Sequence, residues 1–173
     1  YKFEKEILKE ATNVKGEITK KEIKNRKDYR QKLTFTIDPR DAKDFDDAIS
    51  FEQIDDNKFE IGIHIADVTH YVKPNTILDK EAKNRGNSTY LVDRVIPMLP
   101  EKLSNNICSL RPNENKLCFS FIVILNYEGK IIKGKFEKTI INSNYRFAYE
   151  EIQEIIENKT KKVSKKNSLT GKE

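Results

Sequence analysis

Leu33-Thr34-Phe35-Thr36-Ile37-Asp38-Pro39-Arg40-Asp41-Ala42-Lys43-Asp44-Phe45-Asp46-Asp47-Ala48-Ile49-Ser50-Phe51 joins two β-prone runs through ten residues that hold five aspartates. The carboxylates therefore sit where strand gives way to loop, where a scaffold can aim them at one point. Like charges about 6 Å apart at an effective dielectric near 20 repel by roughly 3 kcal/mol per pair. Such a cluster is tolerable only if water dilutes it, a proton is held, or cations bind. Hard oxygen donors of this kind suit magnesium, calcium or manganese. Asp46 and Asp47 are adjacent, so in extended backbone they point in opposite directions unless the chain bends or two ion positions are served. Asp38-Pro39 supplies one bend.

The calcium-loop alternative fails in detail. Counting from Asp44, an EF-hand would need an oxygen donor at the fifth position and glycine at the sixth, where this chain has Ala48 and Ile49. The haloacid-phosphatase pattern, an apolar strand ending in Asp-x-Asp, also fits poorly. The plainer reading is an acidic surface loop. The chemical reading is a metal site for phosphoryl chemistry, in which carboxylates hold ions that relieve charge on a phosphodiester.

Outward from this stretch, residues 2–13 read as a short amphipathic helix with Phe3, Ile7, Leu8 and Ala11 on one face. Residues 48–53 and 59–66 read as a hairpin turned by Asp55-Asp56-Asn57-Lys58, with Phe59, Ile61, Ile63 and Ile65 facing one side. A helix over 76–85 is stopped by Gly86, and Pro97, Pro100 and Pro112 punctuate an irregular stretch. Residues 117–125 and 131–141 form a second hairpin, followed by a helix from about 147 to 157. Strands and helices mix without a regular βαβ rhythm. That predicts an α+β fold, a mixed and largely antiparallel sheet with flanking helices.

The net charge of +5 over 173 residues is unevenly spread: residues 1–32 and 158–173 each carry +5, and residues 33–157 carry −5. A basic stripe normally marks nucleic-acid binding, but here the basic residues lie at the ends and read first as solvated flanks. No apolar run approaches the length of a membrane span, and no signal-peptide pattern opens the chain. Cys108 and Cys118 lack zinc-like spacing and read as buried thiols of a reducing cytoplasm. The chain opens on Tyr1 and its only methionine is Met98, so it reads as a piece of something longer. His64 lies in an alternating strand without a Ser or Cys partner pattern and reads as a strand residue rather than a catalyst.

The run from Thr36 to Ala48 resembles the catalytic signature of the ribonuclease II/ribonuclease R family, in its RNB domain. Further blocks are similar in order: Ile63-His64-Ile65-Ala66-Asp67-Val68, then Tyr90 to Pro100, Leu103-Ser104-Asn105 and Cys108-Ser109-Leu110-Arg111-Pro112. The resemblance implies a metal-dependent 3′→5′ exoribonuclease that releases nucleoside 5′-monophosphates from single-stranded RNA. It implies Mg2+, with Mn2+ able to substitute. By position, Asp38, Asp44, Asp46 and Asp47 match the family's metal aspartates, with Asp38 and Asp47 as direct ligands and Asp46 and Asp44 in the catalytic role. Tyr90 matches the aromatic that stacks on a base near the RNA 3′ end, a grip that needs no sequence readout. Arg94 and Arg111 are read either as phosphate contacts or as loop braces. The implied organisation is a basic helical connector (1–30), the N-terminal part of an RNB catalytic domain (31–157) and a lysine-rich mobile segment (158–173). The expected enzyme is cytoplasmic and monomeric, with this fragment inactive alone. A non-catalytic RNA-binding or scaffold module with a degenerate nuclease fold is the competing expectation, and a DNA nuclease is a weaker third.

Overall fold

The structure, a computed structural model, describes residues 2–158. The lysine-rich stretch expected to be mobile lies, from Lys159 onward, outside the described residues. α1 (Lys5–Asn13), α2 (Lys20–Lys24) and β1 (Lys27–Asp28) lead into β2 (Leu33–Asp38), β3 (Asp47–Asp55) and β4 (Lys58–Ala66). Next come α3 (Val68–Tyr71), α4 (Ile77–Arg85), β5 (Thr89–Tyr90), β6 (Val95–Ile96) and a π-helical turn at Leu103–Ile107. β7 (Asn115–Asn126), β8 (Ile131–Asn142), β9 (Tyr145–Ala148) and α5 (Tyr149–Asn158) complete the described chain.

β1, β8, β7, β4, β3, β2 and β9 form one seven-stranded sheet in that order, while β5 and β6 pair separately. The five central strands are antiparallel, and the two short outer strands run parallel to their neighbours β8 and β2. The α+β, mixed and largely antiparallel architecture is thus as the sequence implies. Both expected hairpins form. Thr76 caps α4 by accepting from the Asp79 N–H at 3.2 Å, and Gly86 ends it at φ 77°.

One face of the sheet is packed. Ile7 and Ala11 of α1, Leu78 of α4 and Leu99, Leu103 and Leu110 of the Pro-punctuated stretch meet Ala48, Ala66, Cys118, Ile122 and Ile141 from the strands. Within the sheet, the missing side chain at Gly62 leaves room for the His64–Ser50 contact. At Gly62 a Cβ would lie 2.3 Å from Ser50 Oγ and 2.5 Å from His64 Nε2.

The structure corrects three local readings. Leu8 is exposed, so the buried stripe of α1 narrows to Ile7 and Ala11. The apolar face of β4 is the uncovered one: Ile63 and Ile65 are 41% and 48% exposed, whereas His64 opposite them is fully buried. Alternation reveals two faces but not which of them a neighbouring layer covers. Finally, residues 145–148 form β9 rather than the start of a helix, and α5 begins at Tyr149.

Candidate metal and nucleic-acid site

The acidic loop lies at a fork in the sheet. β2 pairs with β3 only as far as Phe35 opposite Ile49; beyond that it runs beside β9, up to Asp38 opposite Ala148. β3 meanwhile stays with β4, with Asp47 opposite Ile65. Asp38 at the end of β2 and Asp47 at the start of β3 thus mark the two prongs, and residues 39–46 bridge them.

Main-chain contacts pin the bridge. Ser109 Oγ donates to the Lys43 carbonyl at 2.8 Å and accepts from the Phe45 N–H at 3.1 Å. The Leu110 N–H donates to the Phe45 carbonyl at 2.8 Å, and the Ala66 N–H to the Asp46 carbonyl at 2.9 Å. Phe45 is driven inward, only 7% exposed. Its neighbours Asp44 and Asp46 together line one cavity of about 200 Å³ whose walls include Ile65, Val68, Met98 and Leu99.

That environment shows in the electrostatics. Asp46 keeps part of its surface open to water, yet the apolar wall desolvates it, and the charges of Asp44, Asp47 and Asp38 add to the effect. Its pKa is raised to about 6. Burial also pushes Asp38 above the ordinary carboxylate range. The Thr36 hydroxyl and the Arg146 cation oppose that rise, and Asp47 and Asp44 reinforce it. Thr36 lies beside Asp38 without hydrogen-bond geometry, and Asp38 Oδ2 is buried with no partner. The Tyr90 hydroxyl donates to Asp44 Oδ2, and this bond is the main reason its pKa is raised. Tyr90, 62% exposed, flanks a second cavity of about 410 Å³ with Asp44, Lys43 and Arg94.

The four aspartates of the sequence reading therefore share one electrostatic field, and Tyr90 joins them. Among the described residues, however, no three His, Cys, Asp or Glu side chains close into a ready-made metal cage. Magnesium does not need one, because it keeps several waters and takes one or two carboxylates together with substrate phosphate. A buried carboxylate oxygen without a donor, beside three further carboxylates, is chemistry that suits a hard cation.

His64 stands apart from this chemistry. Nδ1 lies 2.7 Å from Ser120 Oγ and Nε2 2.9 Å from Ser50 Oγ, inside the packed face, so the strand-residue reading holds in its packed form. Arg111 donates to Glu114 and Arg94 to Asp93, which gives both arginines bracing contacts. Cys108 and Cys118 are buried free thiols, and burial raises the pKa of each. Reading the sequence assigned no role to Ser109 or to Arg146, whose contacts run to loop carbonyls 66 and about a hundred residues away.

The profile of the RNB domain matches residues 26–172. The chain belongs to the RNB family. Ribonuclease R 1 of Lactococcus lactis subsp. lactis is 47% identical over 154 residues, covering 89% of this chain and 19% of that protein. RNase R of Mycoplasma genitalium, solved in complex with ribose-methylated single-stranded RNA, superposes with a TM-score of 0.87. It is 30% identical, with 96% of this chain and 26% of that one covered. Yeast Ssd1, described as a pseudonuclease, shares the RNB fold at a TM-score of 0.74 and 17% identity, over 82% of this chain and 18% of its own. The chain spans about a fifth of the length of the curated relatives it matches. No helix among the described residues is long and apolar enough to cross a membrane.

Proposed function

We propose that this chain carries the metal-binding carboxylates of a 3′→5′ exoribonuclease that hydrolyses single-stranded RNA to nucleoside 5′-monophosphates. One observation carries the reading. Asp38, Asp44, Asp46 and Asp47 act on one another at the sheet fork, and the buried Asp38 Oδ2 has no protein donor.

Asp38 and Asp47 would hold Mg2+, or Mn2+ in its place, with Asp44 and Asp46 completing the acidic wall. Such an ion supplies positive charge against the phosphodiester and makes a nearby water more acidic. Asp46, ionised once a divalent cation offsets the charge of its neighbours, would orient that water by accepting its O–H. The water oxygen would bond to phosphorus as the P–O3′ bond breaks, its proton passing to Asp46 while the departing O3′ takes one up from solvent. The terminal nucleotide departs as a 5′-monophosphate, and the shortened RNA keeps a 3′-hydroxyl. The Tyr90 ring stacks on a base beside the cut, and the adjoining Lys43 and Arg94 offset phosphate charge. The fully buried thiols suit a cytoplasmic enzyme, and we take it to act as a monomer.

The shared fold of a pseudonuclease favours a second reading, a non-catalytic RNA-binding module, because fold alone does not carry activity. The test separates the two. The full-length protein, given single-stranded RNA and Mg2+, releases 5′-monophosphates measurable by chromatography, and Asp46→Asn lowers that release at least about 100-fold. RNA binding that depends on salt but not on Mg2+, with no monophosphate released, decides for the second reading.

A further inference from the structure

Arg146 lies on β9 directly opposite Thr36 of β2, so on the packed face it stands next to Asp38. It is 7% exposed. Its Nη2 donates to the carbonyls of Pro39 at 2.6 Å and Arg40 at 2.5 Å, the first two residues of the bridging loop. Its guanidinium carbon sits 5.2 Å from the centroid of the Phe45 ring, near the loop's far end. One planar cation thus grips both ends of the segment that carries the carboxylates. A cation this close to Asp38 would be expected to form an ion pair with it and occupy the carboxylate. Instead its paired donors go to main-chain oxygens, and Asp38 Oδ2 stays without a partner, as do Arg146 Nε and Thr36 Oγ1.

The geometry points to Arg146 as a positioning residue of the site: it fixes the 39–46 loop through its backbone and leaves the Asp38 carboxylate free to bind a divalent ion. This rests on the metal-site reading above. Both bonds leave from one nitrogen, which a lysine ammonium could match, but a lysine cannot at the same time lay a flat, delocalised cation against the Phe45 ring. Being buried, Arg146 acts through the loop and does not touch RNA.

The test is Mn2+ titration by calorimetry on the full-length protein, alongside steady-state RNA hydrolysis, for wild type, Arg146→Met and Arg146→Lys. Groups that orient metal ligands typically matter 10- to 100-fold. Arg146→Met is expected to weaken Mn2+ binding at least about 10-fold and to lower kcat by a similar factor. KM for RNA should stay within about twofold, since no RNA contact is lost. Arg146→Lys retains the charge and is expected to fall between the two, about threefold to tenfold below wild type in Mn2+ affinity. If Arg146→Met does not fold, as judged by circular dichroism, the lysine variant decides. A folded Arg146→Met protein that binds Mn2+ within twofold of wild type overturns the assignment, as does a raised KM with Mn2+ affinity unchanged. A lysine variant indistinguishable from wild type also overturns it. Wild type that binds no Mn2+ overturns the metal-site reading itself. Wild type that binds Mn2+ but cuts no RNA overturns only the exoribonuclease reading, and the Mn2+ comparison still decides the role of Arg146.

Discussion

Acid should unfold this domain through His64. The ring is fully buried between Ser50 and Ser120, and Ser120 Oγ lies 2.6 Å from Thr139 Oγ1, so a polar chain crosses β3, β4, β7 and β8. Burial lowers the pKa of His64 from 6.5 to about 4. The unfolded chain therefore binds a proton at a pH where the folded one refuses it, and stability falls as pH drops from about 6.5 toward 4. With those two values the loss is about 2 kcal/mol at pH 5 and approaches about 3 kcal/mol below pH 4, relative to neutral pH. Asp46 works in the opposite direction. Its raised pKa means that protonation below about pH 6 relieves repulsion in the folded state, so the His64 contribution has to be isolated by difference. His64→Gln removes the titrating group and keeps a neutral hydrogen-bonding side chain. Urea unfolding at pH 7.5 and pH 5, followed by circular dichroism, should show wild type losing about 2 kcal/mol more than the variant. The chain has only two histidines, so the C2 proton of His64 can be followed by NMR once His70→Gln identifies its signal. A folded-state midpoint near 6, or equal losses in both proteins, would refute the reasoning.

Three other perturbations probe separate parts of the molecule. Gly62→Ala places a Cβ within 2.3 Å of Ser50 Oγ and 2.5 Å of His64 Nε2, so the polar chain must shift, at a cost of about 1–3 kcal/mol in urea unfolding. Tyr90→Ala should weaken binding of a short single-stranded RNA by about 1–3 kcal/mol in fluorescence anisotropy, whereas Tyr90→Phe, which keeps the ring and loses the Asp44 hydrogen bond, should bind as wild type does. The uncovered sheet face, with Phe51, Ile65, Phe119 and Phe136 all at least 40% exposed, should make the 173-residue chain bind an apolar dye or self-associate in light scattering. Ile65→Lys with Phe119→Lys should suppress both signals.

The acidic loop was legible because its information is local. Spacing and the flanking β-prone runs place the four aspartates at a strand end without any knowledge of the rest of the chain. β9 was not legible for the opposite reason. Tyr145-Arg146-Phe147-Ala148 runs straight into a helix with no Gly or Pro between them, and its partner β2 lies more than a hundred residues away. The covered face of β4 escaped for a related reason: Ile61, Ile63 and Ile65 outweigh Gly62 and His64 in hydropathy, but the buried side is that of Gly62 and His64, where the Tyr29 ring packs edge-on against the imidazole. These two misses bear on the site. β9 pairs with the edge of β2 opposite β3 and carries the strand on to Asp38 after the pairing with β3 ends at Phe35, which braces the fork in which Asp38 and Asp47 flank the same loop. Had β2 gone on pairing with β3 in the same register, Ile37 would stand opposite Asp47 and the fork would be closed. The four residues that local pattern could not reveal thus brace the fork that holds the run of aspartates.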